Sequence, residues 1–527
     1  MIQIIKKLEK KTNIDTNRDM IRIGFALFFI LLVLIYSFTV YGDVKNSSFI
    51  VIAALFGAYM AMNIGANDVA NNVGPAVGSK ALTLMGAIVI AAIFESSGAL
   101  IAGGEVVKTI KKGIIDPGMF GDVNEFIWAM TAALLAAALW LNLATYLGAP
   151  VSTTHSIVGG VMGGGIAAAG FSIVSWGTMG KIATSWIISP LLGGIIAAIF
   201  LYTIKKSMIY KEDKLQAVSK MVPIYVSLMS WAFATYLLIK GVKKIIKLDF
   251  LTAAGIGLAL AVVIFILVKP LISKAASKME NNRDSVNRLF TIPLIFSAAL
   301  LSFAHGANDV ANAIGPLAAV VDAVMSGGIS SKAPIPIWIM LIGALGISLG
   351  LALYGPKLIK TVGSEITELD QVRAFSIAMA ASITVIVASQ LGLPVSSTHI
   401  AVGGVFGVGL LREYLYKSED EKKIRLEKIA LYDAKKVLAS LEQERDTLEL
   451  KNDKGVQEYE RIVQLYKLIE AEEEQIKKDK KNIKSTEKVK YVKRAAIKKI
   501  IAAWVITVPT AAMISALIFF TIKGMVL

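Results

Sequence analysis

The chain has 527 residues, 55% hydrophobic and 18% charged, with a mean hydropathy of +0.64 and a formal charge of +16. Apolar residues this abundant, gathered in long uncharged runs, exclude a large globular enzyme and a soluble nucleic-acid binder; Lys and Arg concentrated in cytoplasmic loops account for the charge. The absence of cysteine excludes disulfides, thiol nucleophiles and Cys-held metals.

The first apolar run, Ile21 to Val40, follows Lys6, Lys7, Lys10, Lys11 and Arg18. It has the roughly 20 residues needed to span a bilayer and ends on Phe38-Thr39-Val40-Tyr41 rather than on a small-residue cleavage site, so it reads as a retained transmembrane helix. Further apolar segments lie near 49–73, 81–103, 126–147, 151–172, 178–204, 222–240, 249–272, 290–318, 336–355, 373–391, 395–412 and 498–524. Several carry Gly or Pro, which predicts about 12 crossing helices with some segments re-entrant.

From about Arg412 to Arg494 the composition changes to Glu, Lys, Leu, Gln and Asp. Ile424, Leu426, Ile429, Leu431, Val437, Leu438 and Leu441 recur at helical spacing, as do Tyr459, Ile462, Val463, Leu465, Leu468 and Ile469 beyond the turn signal Asn452-Asp453-Lys454-Gly455. This predicts a water-exposed antiparallel helical hairpin of coiled-coil type, serving as a solvated spacer or as a docking site for a cytoplasmic regulator. The expected organisation is a basic segment with an extra helix at 1–44, a first repeat at 45–204, connecting helices at 205–289, a second repeat at 290–412, the insert at 413–495 and a last helix at 496–527.

With the basic start inside and every segment crossing, the 205–220 and 274–289 loops and the insert fall on the Lys- and Arg-rich inner side. Two clusters run against this rule: Lys108, Lys111 and Lys112, and Lys243, Lys244 and Lys247.

The chain repeats itself. Gly65-Ala66-Asn67-Asp68-Val69-Ala70-Asn71-Asn72-Val73-Gly74-Pro75 returns 241 residues later as Gly306-Ala307-Asn308-Asp309-Val310-Ala311-Asn312-Ala313-Ile314-Gly315-Pro316. Pro150-Val151-Ser152-Thr153-Thr154-His155 returns 244 residues later as Pro394-Val395-Ser396-Ser397-Thr398-His399. Trp186…Pro190 and Trp504…Pro509 form a weaker third pair, whose larger offset fits an insert placed before the last helix. The chain is a tandem duplication. If every segment crosses, the repeats are inverted, the arrangement of many secondary transporters; a single non-crossing segment in the first half would make them parallel.

Asp68 and Asp309 lie in apolar surroundings, where an ionised carboxylate costs about 2.5–3.5 kcal/mol and is functional by default. Gly65, Gly74 and Pro75 are expected to break the helix and to free carbonyls beside the carboxylate. With Asn67, Asn308, Asn71 and Asn312 these groups suit a hard cation such as Na⁺. In the second motif pair, Pro followed by hydroxyl residues is a helix-start pattern, and a helix N-terminus attracts an oxyanion. Ser152, Thr153, Thr154, Ser396, Ser397 and Thr398, with Asn67 and Asn308, are therefore the candidate anion ligands. Neither motif holds Lys or Arg, so an anion beside two aspartates requires bound cations or protons. Glu95, Gln390, His155 and His399 are accessory candidates; Asn142 is weaker, and the third histidine, His305, adjoins a motif. Packing or a backbone hydrogen bond suits the histidines better than proton coupling. Matching Lys108-Thr109 to Lys360-Thr361 leaves Glu95 with no acidic counterpart.

The two Gly-Ala-Asn-Asp-Val-Ala-Asn copies at 65–71 and 306–312, with the two Pro-Val-Ser-Ser/Thr-Thr-His segments, resemble the signature of the inorganic phosphate transporter family across about 45–412 and 498–524. The resemblance implies an all-α polytopic protein of the cell membrane, and a homodimer. It also implies symport of inorganic phosphate with Na⁺ or H⁺ and no other cofactor, the Asn-Asp pairs and hydroxyl segments forming the sites. Sodium is preferred here because paired carboxylates and few histidines suit it. The alternative is a proton-coupled phosphate or sulfate permease. The insert at 413–494 and the helix at 21–41 depart from the family pattern. An anion channel would not need carboxylates beside its path, and a receptor would bind without turnover. No His-Glu-x-x-His, Gly-x-Ser-x-Gly or Walker loop supports an enzyme or an ATP-driven pump.

Overall fold

The computed structural model describes residues 2–149, 151–241, 248–328, 335–365, 369–453, 455–487 and 494–526. Pro150, Lys454 and the cluster Lys243, Lys244 and Lys247 lie outside the described residues. Those described form seventeen α-helices and no named strand. They run α1 (Ile2–Tyr41), α2 (Ser47–Asn67), α3 (Val69–Gly78), α4 (Leu84–Ala102), α5 (Gly104–Lys112), α6 (Val123–Leu147), α7 (Thr153–Ala169), α8 (Trp176–Ile204) and α9 (Lys214–Lys240). There follow α10 (Phe250–Ala276), α11 (Arg283–Leu289), α12 (Thr291–Ser326), α13 (Ile337–Glu365), α14 (Gln371–Gln390), α15 (Ser397–Glu449), α16 (Val456–Glu487) and α17 (Arg494–Val526).

Among the described residues eleven spans are long and apolar enough to cross a bilayer, α2 and α3 counting as one, so the chain is a multi-pass membrane protein. The other two of the thirteen apolar segments lie on α7, of only 17 residues, and on the start of α15. Gly404 faces Ile377 just as Gly160 faces Ala133, so α6–α7 and α14–α15 are equivalent antiparallel hairpins. Their tips turn on Gly148 (φ +71°) and Gly392 (φ +67°), left-handed conformations that glycine adopts without steric cost.

Glycine also sets the helix crossings. A Cβ on Gly65 of α2 would sit 1.8 Å from the Ile347 carbonyl oxygen of α13, and one on Gly306 of α12 would sit 2.1 Å from that of Glu95 in α4. Gly159 of α7 meets the Val508 carbonyl of α17, and Gly403 of α15 meets that of Pro190 in α8. Each repeat therefore packs its motif helices against the other repeat's partner helix, backbone to backbone, the contact that small residues permit in membranes. Along α2 and α12 the pairing runs from Gly57 beside Leu317 to Asp68 beside His305, so these equivalent helices are antiparallel and the repeats are inverted.

The expected helix breaks need correction. Asp68 interrupts the first motif for one residue only and keeps helical torsions, while α12 passes unbroken through the second motif. Gly65 and Gly306 serve close packing rather than breakage. What survives of the freed carbonyls are those of Asn71 and Asn312, four residues before Pro75 and Pro316, which have no N–H to offer them.

Residues 409–493 form a separate compact unit. In it Ile424, Leu431, Ala434, Leu438, Leu441 and Leu448 of α15 fall on one stripe, and Ile462, Leu465, Ile469, Ile476 and Ile483 of α16 on another, at alternating steps of three, four or seven residues. This is a coiled-coil seam. Arg461 pairs with Glu444 at 2.8 Å, and Tyr466 donates to Glu449 at 2.7 Å. The Arg461 guanidinium lowers the Glu444 carboxyl pKa from its ordinary value.

Candidate functional site

The two Asn-Asp motifs and the two hairpin tips converge in one buried cluster. Ser152 caps α7 by accepting from the His155 N–H at 3.1 Å, and Ser396 does the same for the His399 N–H at 3.3 Å. These two serines thus fix the helix starts, while the hydroxyls that follow face the motifs. Thr153 donates to Asp68 Oδ2 at 2.6 Å, and its equivalent Ser397 donates to Asp309 Oδ2 at 2.8 Å.

Other bonds cross between repeats. Thr398 donates to Asp68 Oδ1 at 3.1 Å and accepts from the Asn71 amide at 2.8 Å. The Asn312 amide donates to both Thr153 and Thr154 at 3.1 Å. Thr154 donates to the Val395 carbonyl at 2.8 Å, which brings the two hairpin tips into contact.

The outer asparagines hold the hairpins. Asn67 donates to Thr145 at 2.9 Å, and Asn308 donates to Ser389 at 2.9 Å. Thr145 and Ser389 are equivalent residues that the sequence reading missed; their signal is the 244-residue offset of the hydroxyl motifs, applied a few residues upstream. The four asparagines common to both motif copies spend their amide nitrogens on these bonds. The Oδ1 atoms of Asn67, Asn71, Asn72, Asn308 and Asn312, and Oδ1 of Asp309, are buried without a hydrogen-bond partner among the described residues. Buried acceptors ordinarily find a partner, and unmet amide and carboxylate oxygens are the ligand type that a hard cation takes.

His305 is wedged among the acids. Its Nδ1 lies 2.5 Å from Glu95 Oε2, and its Nε2 lies 2.7 Å from Asp309 Oδ2 and 4.0 Å from Asp68 Oδ2. The contact with Asp309 is close but off the line of a hydrogen bond, so it is electrostatic. Asn72 donates to Glu95 Oε1 at 2.8 Å. Glu95 is therefore part of the cluster, and His305, next to the motif in sequence, is central to it. Among the described residues no Lys or Arg pairs with Asp68, Asp309 or Glu95.

Three accessory candidates fall elsewhere. His155 and His399 pack edge to face with ring centroids 4.5 Å apart, each against its own tryptophan, Trp186 at 3.8 Å and Trp504 at 3.5 Å. They form an aromatic stack beneath the hydroxyl segments. Gln390 is half-buried at the end of α14, and it is the preceding Ser389 that reaches the site. Asn142 is exposed, with its amide 3.4 Å from Asn63 Oδ1.

Comparison with known proteins bears on this arrangement. Residues 64–515 match the phosphate transporter family. A candidate phosphate permease of Helicobacter pylori strain J99 is 50% identical over 529 aligned residues, covering 98% of each chain. One from Pyrococcus furiosus is 42% identical, covering 69% of this chain and 87% of its own. Among solved structures, one described as the sodium-dependent phosphate transporter superposes with a TM-score of 0.72 at 32% identity, covering 90% of this chain and 99% of its own.

Proposed function

The chain belongs to the phosphate transporter family, a family of transporters and not of enzymes, and from that premise we propose that it is a sodium-coupled symporter importing inorganic phosphate across the cell membrane. The observation that carries this reading is the pairing, in one buried cluster, of two hydroxyl-bearing helix starts with unmet asparagine and aspartate oxygens. The helix starts of α7 and α15 suit a tetrahedral oxyanion, because their first N–H groups and dipoles favour negative charge. Thr153, Thr154, Ser397 and Thr398 add uncharged hydroxyls, whose O–H groups turn from Asp68, Val395 and Asp309 to the anion when sodium takes the carboxylate oxygens.

Asp68, Asp309 and the oxygens of Asn67, Asn71, Asn308 and Asn312 suit Na⁺. Three carboxylates with one imidazole among them would repel phosphate; bound sodium offsets that charge, so anion and cation bind together and cross together. The sodium dependence of the structural relative supports the choice of ion. No organic cofactor enters this reading, which extends to a homodimer and to a cytoplasmic partner for the 413–495 insert.

A second reading has its own observation. His305, flanked by Glu95 and Asp309, makes an acid–imidazole–acid chain able to carry a proton, which favours proton coupling. The deciding experiment is labelled-phosphate uptake by the purified protein in proteoliposomes under a Na⁺, a K⁺ or a proton gradient, with sulfate as competitor. Uptake driven by Na⁺ alone and indifferent to sulfate supports the sodium symporter. Uptake driven by protons alone replaces the coupling ion, and loss of uptake to sulfate replaces the anion.

A further inference from the structure

A cavity of about 560 Å³ opens between α1, α2, α6 and α13 on the Asn67 side of the site. Ala66 and Thr145 line it, and Thr145 is the residue that holds Asn67. Tyr59, Asn63, Asn142 and Tyr354 form the polar part of its walls, and Ile23, Leu27, Ile30 and Met62 line the rest. Asp19 and Arg22, at the start of the α1 span, also line it, with Arg22 Nη1 3.0 Å from Asp19 Oδ1.

The other repeat supplies an internal control. The positions equivalent to Tyr59, Asn63, Asn142 and Tyr354 are Leu300, Ala304, Ile386 and Ala102, all apolar. There Phe303 is covered by Phe233 and Tyr236 of α9, with ring centroids 5.2 and 6.1 Å away. The two halves share one fold, so packing does not explain polar walls on one side only. A polar passage with a single guanidinium does. The apolar α1 carries that guanidinium although the span is otherwise turned largely outward.

We propose that this cavity is a second oxyanion subsite, where Arg22 receives inorganic phosphate between the solution and the Asn67–Thr145 floor. The inference rests on phosphate being the transported anion. Asp19 engages one edge of the guanidinium and leaves other N–H donors for the anion, while the tyrosine hydroxyls and asparagine amides supply donors without charge. One cation partly neutralised by a carboxylate gives weak binding, which suits a waiting site from which the anion must move on.

The test uses the whole chain in proteoliposomes and measures Vmax/KM for phosphate. R22Q is expected to lower Vmax/KM for phosphate about tenfold with sodium dependence retained, and R22K, which keeps the positive charge, to recover part of the loss. Unchanged Vmax/KM in R22Q, or a loss that R22K does not reduce, overturns the proposal.

The cysteine-free sequence permits a second readout. Asn142→Cys is expected to react with an anionic methanethiosulfonate reagent, and phosphate is expected to slow that reaction in the parent background but not with R22Q. Labelling indifferent to phosphate overturns the subsite. If the parent protein moves no phosphate at all, the transport reading fails instead, and the labelling rates at position 142 still decide whether phosphate occupies the cavity.

Discussion

Thr398 Oγ1 donates to Asp68 Oδ1 across 3.1 Å, tying the hydroxyl segment of the second repeat to the carboxylate of the first. The reciprocal tie is the Asn312 amide on Thr154. The site is thus made by exchange between repeats, and neither half contains it.

Asp68→Asn and Asp309→Asn are each expected to raise the sodium concentration for half-maximal uptake about tenfold or more, because a carboxylate oxygen becomes an amide donor among cation ligands. Asp309→Asn should be the more severe, since Asp309 also faces His305 at 2.7 Å. Sodium titration of labelled-phosphate uptake checks both; two variants with parental sodium curves would remove the aspartates from the ion site.

Ser397→Ala and Thr398→Ala are expected to weaken phosphate affinity by about five- to tenfold, each removing one buried donor. Thr398→Ala should also disturb sodium dependence, because Thr398 bonds Asp68 and Asn71 whereas Ser397 bonds Asp309. Phosphate and sodium titrations on the same preparations separate the two effects.

His305→Gln is expected to abolish most uptake by removing the imidazole that stands between Glu95 and Asp309. Glu95→Gln in the same chain should restore part of it by removing one of the carboxylates left facing each other. A double-mutant cycle on uptake is expected to give a coupling of about 1–3 kcal/mol; additive losses would mean the two residues act separately.

Gly65→Ala and Gly306→Ala are expected to destabilise the membrane unit by about 1–3 kcal/mol each, since their methyl groups would overlap the Ile347 and Glu95 carbonyls. Gly255→Ala, on α10 with open space around it, is the matched neutral control. Thermal unfolding in detergent reads all three.

Ile476→Lys, placed in the buried seam of the insert, is expected to unfold the α15–α16 hairpin while uptake stays within about twofold of the parent. Circular dichroism and uptake on one preparation test this; lost uptake would make the insert part of the transport machinery.

Much of this was legible in the sequence because duplication made it so. One Asn-Asp pair in an apolar run is open to many readings, but the same pair 241 residues on, each followed by a hydroxyl segment, specifies a two-fold site. What stayed hidden depends on which helix meets which. Gly65 reads equally as a helix breaker and as a packing surface, and only Ile347 on its far side decides. His305 reads as a lone buried histidine until α4 brings Glu95 to it. Thr145 and Ser389 carry no local motif and acquire meaning only as the residues to which Asn67 and Asn308 reach.

The exchange of helices between repeats also governs how the protein can be made. A ribosome delivers α2 long before α13, and α7 long before α17, so the first repeat leaves the translocon with its glycine faces uncovered. The α2 face is covered when α13 arrives, but the α7 face stays exposed to lipid until synthesis has passed through the whole insert and α17 closes over it. Chains truncated before α17 are therefore incomplete in both halves at once, and a nascent-chain surveillance system has one simple feature to detect: a helix with a bare glycine stripe.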